Sequence, residues 1–233
     1  AVLFYLDNSI AGAKWLDPEE KRVLQAAIAE DARTQYRGTH NLGQAFADPR
    51  VWAMSLIYFC VVLGQYGLNF WMPTLIKTAG LTGNLRIGLV SAIPYLVCLA
   101  MMVGLGFSAD RRRERRWHLA IPALIGAVGF AVAPTAPNVA IAIAALSLAA
   151  GGAITCAPLF WSLPTAFLAG AGAAAGIAVV NSVGNLAGFV APILIGYARD
   201  ATGSAAVGMY AIAGALVLGA VITLLTPARM VNR

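Results

Sequence analysis

Charge is scarce in this sequence. Only 11% of its 233 residues are Asp, Glu, Lys or Arg, where a soluble domain carries about 25%. That shortage excludes an ordinary solvated surface. Cysteine is scarce as well. Cys60, Cys98 and Cys156 all fall within apolar stretches and no CxxC occurs. A disulfide framework is therefore excluded, and the three thiols read as small apolar fillers. Histidine is limited to His40, in a polar segment, and His118, beside a group of arginines; both read as solvated. No metal-ligand cluster, triad spacing or phosphate-cradling glycine loop can be named. The reading is a protein that is not an enzyme and needs no cofactor. The N-terminus does not read as a signal peptide.

What is abundant is apolar sequence, 60% of the residues. It falls into six runs, at about 50–73, 87–107, 117–135, 138–160, 172–197 and 205–227. Each is close to the ~20 residues a helix needs to cross a bilayer. None has an acid or a strong base in its interior. Helices are the expected form, because lipid offers the backbone no hydrogen bonds. The net charge of +6 follows topology and does not signal nucleic acid. Lys14, Lys21, Arg22, Arg33, Arg37 and Arg50 precede the first span. Arg111, Arg112, Arg113, Arg115 and Arg116 follow the second, and Arg229 and Arg233 the sixth. Only Lys77, Arg86 and Arg199 fall on the other side. The positive-inside rule places the linker, the arginine loop and the C-terminus in the cytoplasm.

Residues 1–6, Ala1-Val2-Leu3-Phe4-Tyr5-Leu6, read as the end of a preceding span. Residues 7–49 read as a polar linker with one surface helix. Asp17 is its N-cap, Pro18 its first position and Glu20 its capping-box partner. Val23, Leu24, Ala27 and Ile28 give it an apolar stripe, expected to lie on the membrane or the bundle. Residues 50–233 read as the bundle, begun by Asp48-Pro49. Gly172-xxx-Gly176 and Gly184-xxx-Gly188 favour close helix contact within it over a dimer. Pro94, Pro122, Pro158 and Pro192 fall within or near spans, as points of local loosening.

With no intramembrane charge, the chemistry rests on neutral polar groups. Gln65 and Asn69 are four apart on the first span, beside Tyr66. Asn181 and Asn185 are four apart on the fifth. Ser91, Tyr95 and Cys98 share a face of the second, and Ser147, Gly151 and Thr155 one of the fourth. A buried amide without a partner costs several kcal/mol. Two readings stand for each: a bond to a neighbouring helix, or the wall of a polar cavity at mid-membrane. Trp161 divides in the same way between an interfacial belt and a ligand contact.

Gly106-Phe107-Ser108-Ala109-Asp110-Arg111-Arg112-Arg113 resembles the loop signature of the major facilitator superfamily, matching at Gly106 and Asp110. Tyr66-Gly67-Leu68-Asn69-Phe70-Trp71-Met72-Pro73 is similar to helix 7 of its anion:cation symporter family of phthalate, tartrate and hexonate permeases. Gly176 to Phe189 resembles that family's helix 11, and Ala13 to Glu20 its central loop. The resemblance implies an all-α membrane protein, the six-helix half (helices 7–12) of a twelve-helix fold, packed on an N-terminal half. It implies proton-coupled (or sodium-coupled) uptake of a small organic anion through the inner membrane by alternating access. Gln65, Tyr66, Asn69, Trp161, Asn181 and Asn185 would contact the substrate. Asp110, with Arg111 and Arg113, would hold the cytoplasmic gate. The family's substrate-gripping arginine and proton carriers lie mostly in its first half. The uncharged loop 161–171 departs from the expected cytoplasmic pattern. The rival readings are a facilitator or exporter of another solute, and a membrane subunit without a transport site.

Overall fold

The computed structural model describes residues 9–13, 15–35, 42–166, 168 and 171–228. The span end expected at 1–6, and Arg229 and Arg233, lie outside the described residues. The described residues form helices and turns, with no strand among them.

Helix α1, Pro18–Gln35, begins at the expected capping box: the Asp17 N–H donates to Glu20 Oε2 at 3.0 Å. Its apolar stripe does not pack on the bundle. Val23, Leu24 and Ile28 are all exposed, since a stripe this narrow is too small to hold a helix against a protein surface. A short α2, Leu42–Ala47, is tied to the next helix by Trp52 Nε1–H donating to the Phe46 carbonyl at 2.8 Å.

The six expected spans are all present as helical segments of 20 to 30 residues, long and apolar enough to cross a membrane. They are α3 (Pro49–Thr78), α4 (Asn84–Arg112), α5 (Arg116–Val132, ending in a 3₁₀ turn at Ala133–Thr135), α6 (Val139–Trp161, with a further 3₁₀ turn at Pro164–Ala166), the pair α7 (Ala171–Asn185) and α8 (Ala187–Thr202), and α9 (Ala206–Leu225). Asp48 caps α3 by accepting from the Arg50 N–H at 2.8 Å, and Asn138 caps α6 by accepting from Ile141 N–H at 3.0 Å. α3 and α4 overrun their apolar stretches by about a turn. Apolarity marks the lipid thickness, and a helix carries on into the interface. Pro73, Pro94, Pro122, Pro158 and Pro192 lie inside helices and end none of them.

The closest packing is between α5 and α6, whose backbones touch. A Cβ at Gly129 would strike the Ala145–Ala149 backbone, and one at Gly152 the Pro122–Gly126 backbone. Helix α9 covers α3 and α5. Burial is uneven. The central windows of α3, α5 and α6 are 61%, 56% and 61% buried, against 17% for α4 and 28% for α7–α8. The uncovered face of the bundle is therefore made by α4 and the broken span α7–α8.

Candidate functional site

The fifth span has a one-residue break in its α-helical bonding at Leu186, whose backbone stays in the helical region (φ −57°, ψ −25°). Asn185 Nδ2–H donates to both the Asn181 carbonyl (2.9 Å) and Asn181 Oδ1 (2.8 Å). The side chain thus shares a carbonyl of its own helix, one turn back, as Ser91 and Ser147 do in unbroken helices. Leu186 N–H falls back on Val183 at 3.2 Å, a tighter turn, before α8 resumes. Both asparagines are exposed, on the face the bundle leaves uncovered. They bond each other within one helix, and neither reaches a neighbouring one among the described residues.

The glycines around this break seat the rings of α3. Gly184 lies against Tyr58, where a Cβ would overlap the ring, and a Cβ on Gly188 would lie 3.0 Å from Tyr66 Cε2. This GxxxG serves contact within the bundle, as its pattern suggests. Gly176 packs on Leu168; the side of Gly172 lies outside the described residues. Tyr58 in turn stacks on Phe160 (4.8 Å) and meets Trp161 edge-on (4.9 Å). Trp161 is half-buried in this aromatic group.

Gln65 is half-buried and makes no hydrogen bond among the described residues. Asn69 takes the other course. Its Oδ1 accepts from Tyr95 Oη–H of α4 at 2.7 Å, a bond between neighbouring helices. Tyr95 shares a face of α4 with Ser91 and Cys98, and this bond to another helix is not something its spacing shows. Cys98 lies 4.0 Å from Thr155 Oγ1 on α6. Ser91 and Ser147 spend their hydroxyls on the carbonyls four residues before them.

The six candidate residues do not converge on one point. Tyr58 and Asn69 are separated by about 16 Å along α3, at 1.5 Å per residue. Trp161 belongs to the aromatic group nearer the arginine loop. Gln65 and Tyr66 lie midway, and Tyr66 packs against Gly188 of α8, just past Leu186. Asn69 and Tyr95 lie nearer the opposite end. The arrangement is a row of polar and aromatic groups along α3 and its neighbours, not one pocket.

At the arginine loop the described tethers are made by Arg115 and Arg116. Asp110, Arg111 and Arg113 are exposed. Asp110 forms no ion pair with an arginine among the described residues. Arg113 ends α4 in a left-handed turn, φ 51°. Arg115 Nη1 donates to the Ser162 carbonyl at 2.6 Å, and Arg116 Nη2 donates to the Leu224 carbonyl. These two tie the loop to the ends of α6 and α9. His118 is not solvated. Its side chain is 11% exposed, 3.0 Å from Ser108 Oγ and 3.4 Å from Glu114 Oε2. Arg115→Ala should lower stability by about 1 kcal/mol or more, the worth of a charge-assisted hydrogen bond, while exposed Arg112→Ala should leave it unchanged. Thermal melts of the two variants check this; equal midpoints would dismiss the tether.

The sequence pattern of the Major Facilitator Superfamily matches residues 1–192. The chain belongs to the major facilitator superfamily. It carries half of that fold, the C-terminal half, in a multi-pass membrane protein of a transporter family. A putative tartrate transporter of Agrobacterium vitis is 41% identical over 223 residues, covering 96% of this chain and 51% of the relative. Putative metabolite transport protein NicT of Pseudomonas putida is 38% identical over 229 residues, covering 98% of this chain and 52% of the relative. A quinolone resistance transporter of Acinetobacter baumannii is 35% identical over 227 residues, covering 97% and 52%. The chain thus spans about half the length of the curated relatives it matches.

Proposed function

We propose that this chain is the substrate-facing C-terminal half of a secondary transporter for a small organic carboxylate, working by alternating access. The observation that carries the proposal is the amide pair Asn181–Asn185, uncovered on the open face of the bundle. Neutral polar groups facing a cavity between the two halves of such a transporter suit contacts to a hydrophilic solute. The name of the tartrate-transporter relative supplies the substrate class. The described spans contain no acid or strong base in their apolar cores, so an N-terminal half would supply the coupling residues, with proton favoured over sodium. The uncovered surfaces of α4 and α7–α8 suit docking of that half. The arginine loop would face the cytoplasm and the bundle would span the inner membrane. The chain needs no cofactor for this work, and no nucleic acid takes part.

A second reading, export of another solute on the same fold, is favoured by the quinolone resistance transporter at 35% identity. The uncovered, mutually bonded asparagines weigh against a subunit without a transport site. Uptake of labelled tartrate, hexonates and aromatic dicarboxylates by full-length protein in proteoliposomes, with and without an inward proton gradient, separates these. Gradient-driven uptake of one acid supports the proposal. Absence of uptake in tight vesicles, with drug efflux in its place, overturns it. In the same assay Asp110→Asn should lower the maximal rate about tenfold, in the range of allosteric couplings, and move KM little. A rate equal to wild type would remove Asp110 from the gate.

A further inference from the structure

A cavity of about 330 Å3 opens at the end of the bundle opposite the arginine loop. It is set apart from the row of groups described above. The end of α3 supplies Trp71, Thr74 and Thr78, the 3₁₀ turn after α5 supplies Ala133 and Pro134, and α8 and the turn into α9 supply Arg199 and Ser204. No acid lines it. Its volume is at the small end of ligand pockets, about 300–1,000 Å3.

We propose that this cavity is an oxyanion site, in which Arg199 grips a carboxylate or phosphate group with Thr74 and Ser204 donating beside it. Among the described residues Arg199 is the only cation of the lining. Its guanidinium carbon lies 5.6 Å from the centre of the Trp71 ring, so the ring's electrons hold the flat group in place while its N–H edges stay open. A guanidinium fork matches the two oxygens of a carboxylate or a phosphate. It forms no ion pair among the described residues, and neighbouring Asp200 does not line the cavity. Thr74 makes no hydrogen bond among the described residues. Ser204 Oγ accepts from Ala206 N–H at 3.1 Å, which leaves its own proton to donate. Thr78 is already engaged, donating to the Leu75 carbonyl at 2.9 Å. Ala205 and Ala206, at the start of α9, also border the space and add the partial positive charge of a helix N-terminus.

Two sources supply such a group at this end of a membrane protein: a soluble organic acid, and the headgroup phosphate of an anionic lipid. The proposal concerns the chemistry they share. It goes beyond the transport reading, because it concerns a second place of binding whatever solute crosses the bundle.

Trp71 is a built-in reporter, since an anion that draws on Arg199 alters the charge above its ring. The full-length transporter is reconstituted as wild type and as Trp71→Phe, and the difference in tryptophan fluorescence isolates Trp71. L-Tartrate and sulfate are titrated against chloride at matched ionic strength, in vesicles of phosphatidylcholine alone. The same difference is then followed as phosphatidylglycerol is added. A saturable response to tartrate or sulfate in neutral vesicles, weakened about tenfold or more in Arg199→Gln, supports the site with a soluble ligand. A response that comes only with phosphatidylglycerol, and is lost in Arg199→Gln, supports it with a lipid one. Arg199→Lys keeps the charge without the fork and should bind with intermediate strength; it stands in if the glutamine variant does not fold. No saturable response to any of these probes, or a response indifferent to both Arg199 substitutions, overturns the proposal. Asn185→Ala should leave the Trp71 response intact. A failure of uptake and a failure of this site are thus read on separate signals.

Discussion

Gly152→Ala should sharply reduce the amount of correctly folded protein, although the change adds one methyl group. In an isolated helix the substitution would be favourable by up to about 1 kcal/mol. Here the new Cβ would run into Gly126 and the Pro122 carbonyl. Those atoms are backbone, so no rotamer change relieves the clash and α5 must move away from α6. Association of helices in lipid depends on close van der Waals contact, because the hydrophobic effect offers nothing between two apolar helices already in hydrocarbon. Overpacking of this kind costs roughly 1–3 kcal/mol, which outweighs the gain in propensity. Gly214→Ala on α9 is the matched control, since nothing lies within 4 Å of its new Cβ. It receives the same gain without the clash. The monodisperse fraction and melting temperature of the two detergent-solubilised variants decide the matter. Equal behaviour of the pair would show that backbone contact between α5 and α6 does not hold the bundle.

The spans were legible because lipid imposes one rule on every one of them, a run of about 20 apolar residues. The caps at Asp17 and Asp48 were legible because a capping residue acts on its nearest neighbours in sequence. The break at Leu186 was not. Rules for interruption point to proline, yet Pro192 sits within an unbroken α8, and Leu186 is not of a residue type that marks a break. The asparagine pair itself was visible as an i, i+4 spacing; that it would bond internally and remain uncovered depends on which face the bundle closes. The five arginines of the loop look alike in sequence. Arg113 turns the chain, so Arg115 and Arg116 are the ones carried back to α6 and α9. His118 looked solvated for the same reason, since only the folded loop brings Ser108 and Glu114 to its two nitrogens. Tyr95 was noted, but its bond to Asn69 joins residues 26 apart on two helices, beyond what spacing along one helix reveals.

Asn185→Ala should weaken apparent substrate affinity about fivefold to tenfold while the protein still inserts and folds. One neutral hydrogen bond is worth about 1 kcal/mol, and removing an exposed amide leaves no buried group without a partner. The side chain has two roles that can be told apart. Its Nδ2 bonds the Asn181 carbonyl and the Asn181 Oδ1, and its own Oδ1 has no partner among the described residues. Alanine ends both. Asn185→Asp keeps an acceptor on the same short stem but loses the donor that engages Asn181, and it brings a negative charge toward an anionic solute. If the amide contacts a carboxylate, Asp should be worse than Ala, because repulsion is added to a lost bond. If the amide serves only to hold Asn181, the two variants should keep their affinity. Concentration-dependent uptake in proteoliposomes, with surface-exposed protein quantified, yields KM and maximal rate for each. An affinity unchanged in both variants would remove Asn185 from the substrate's path.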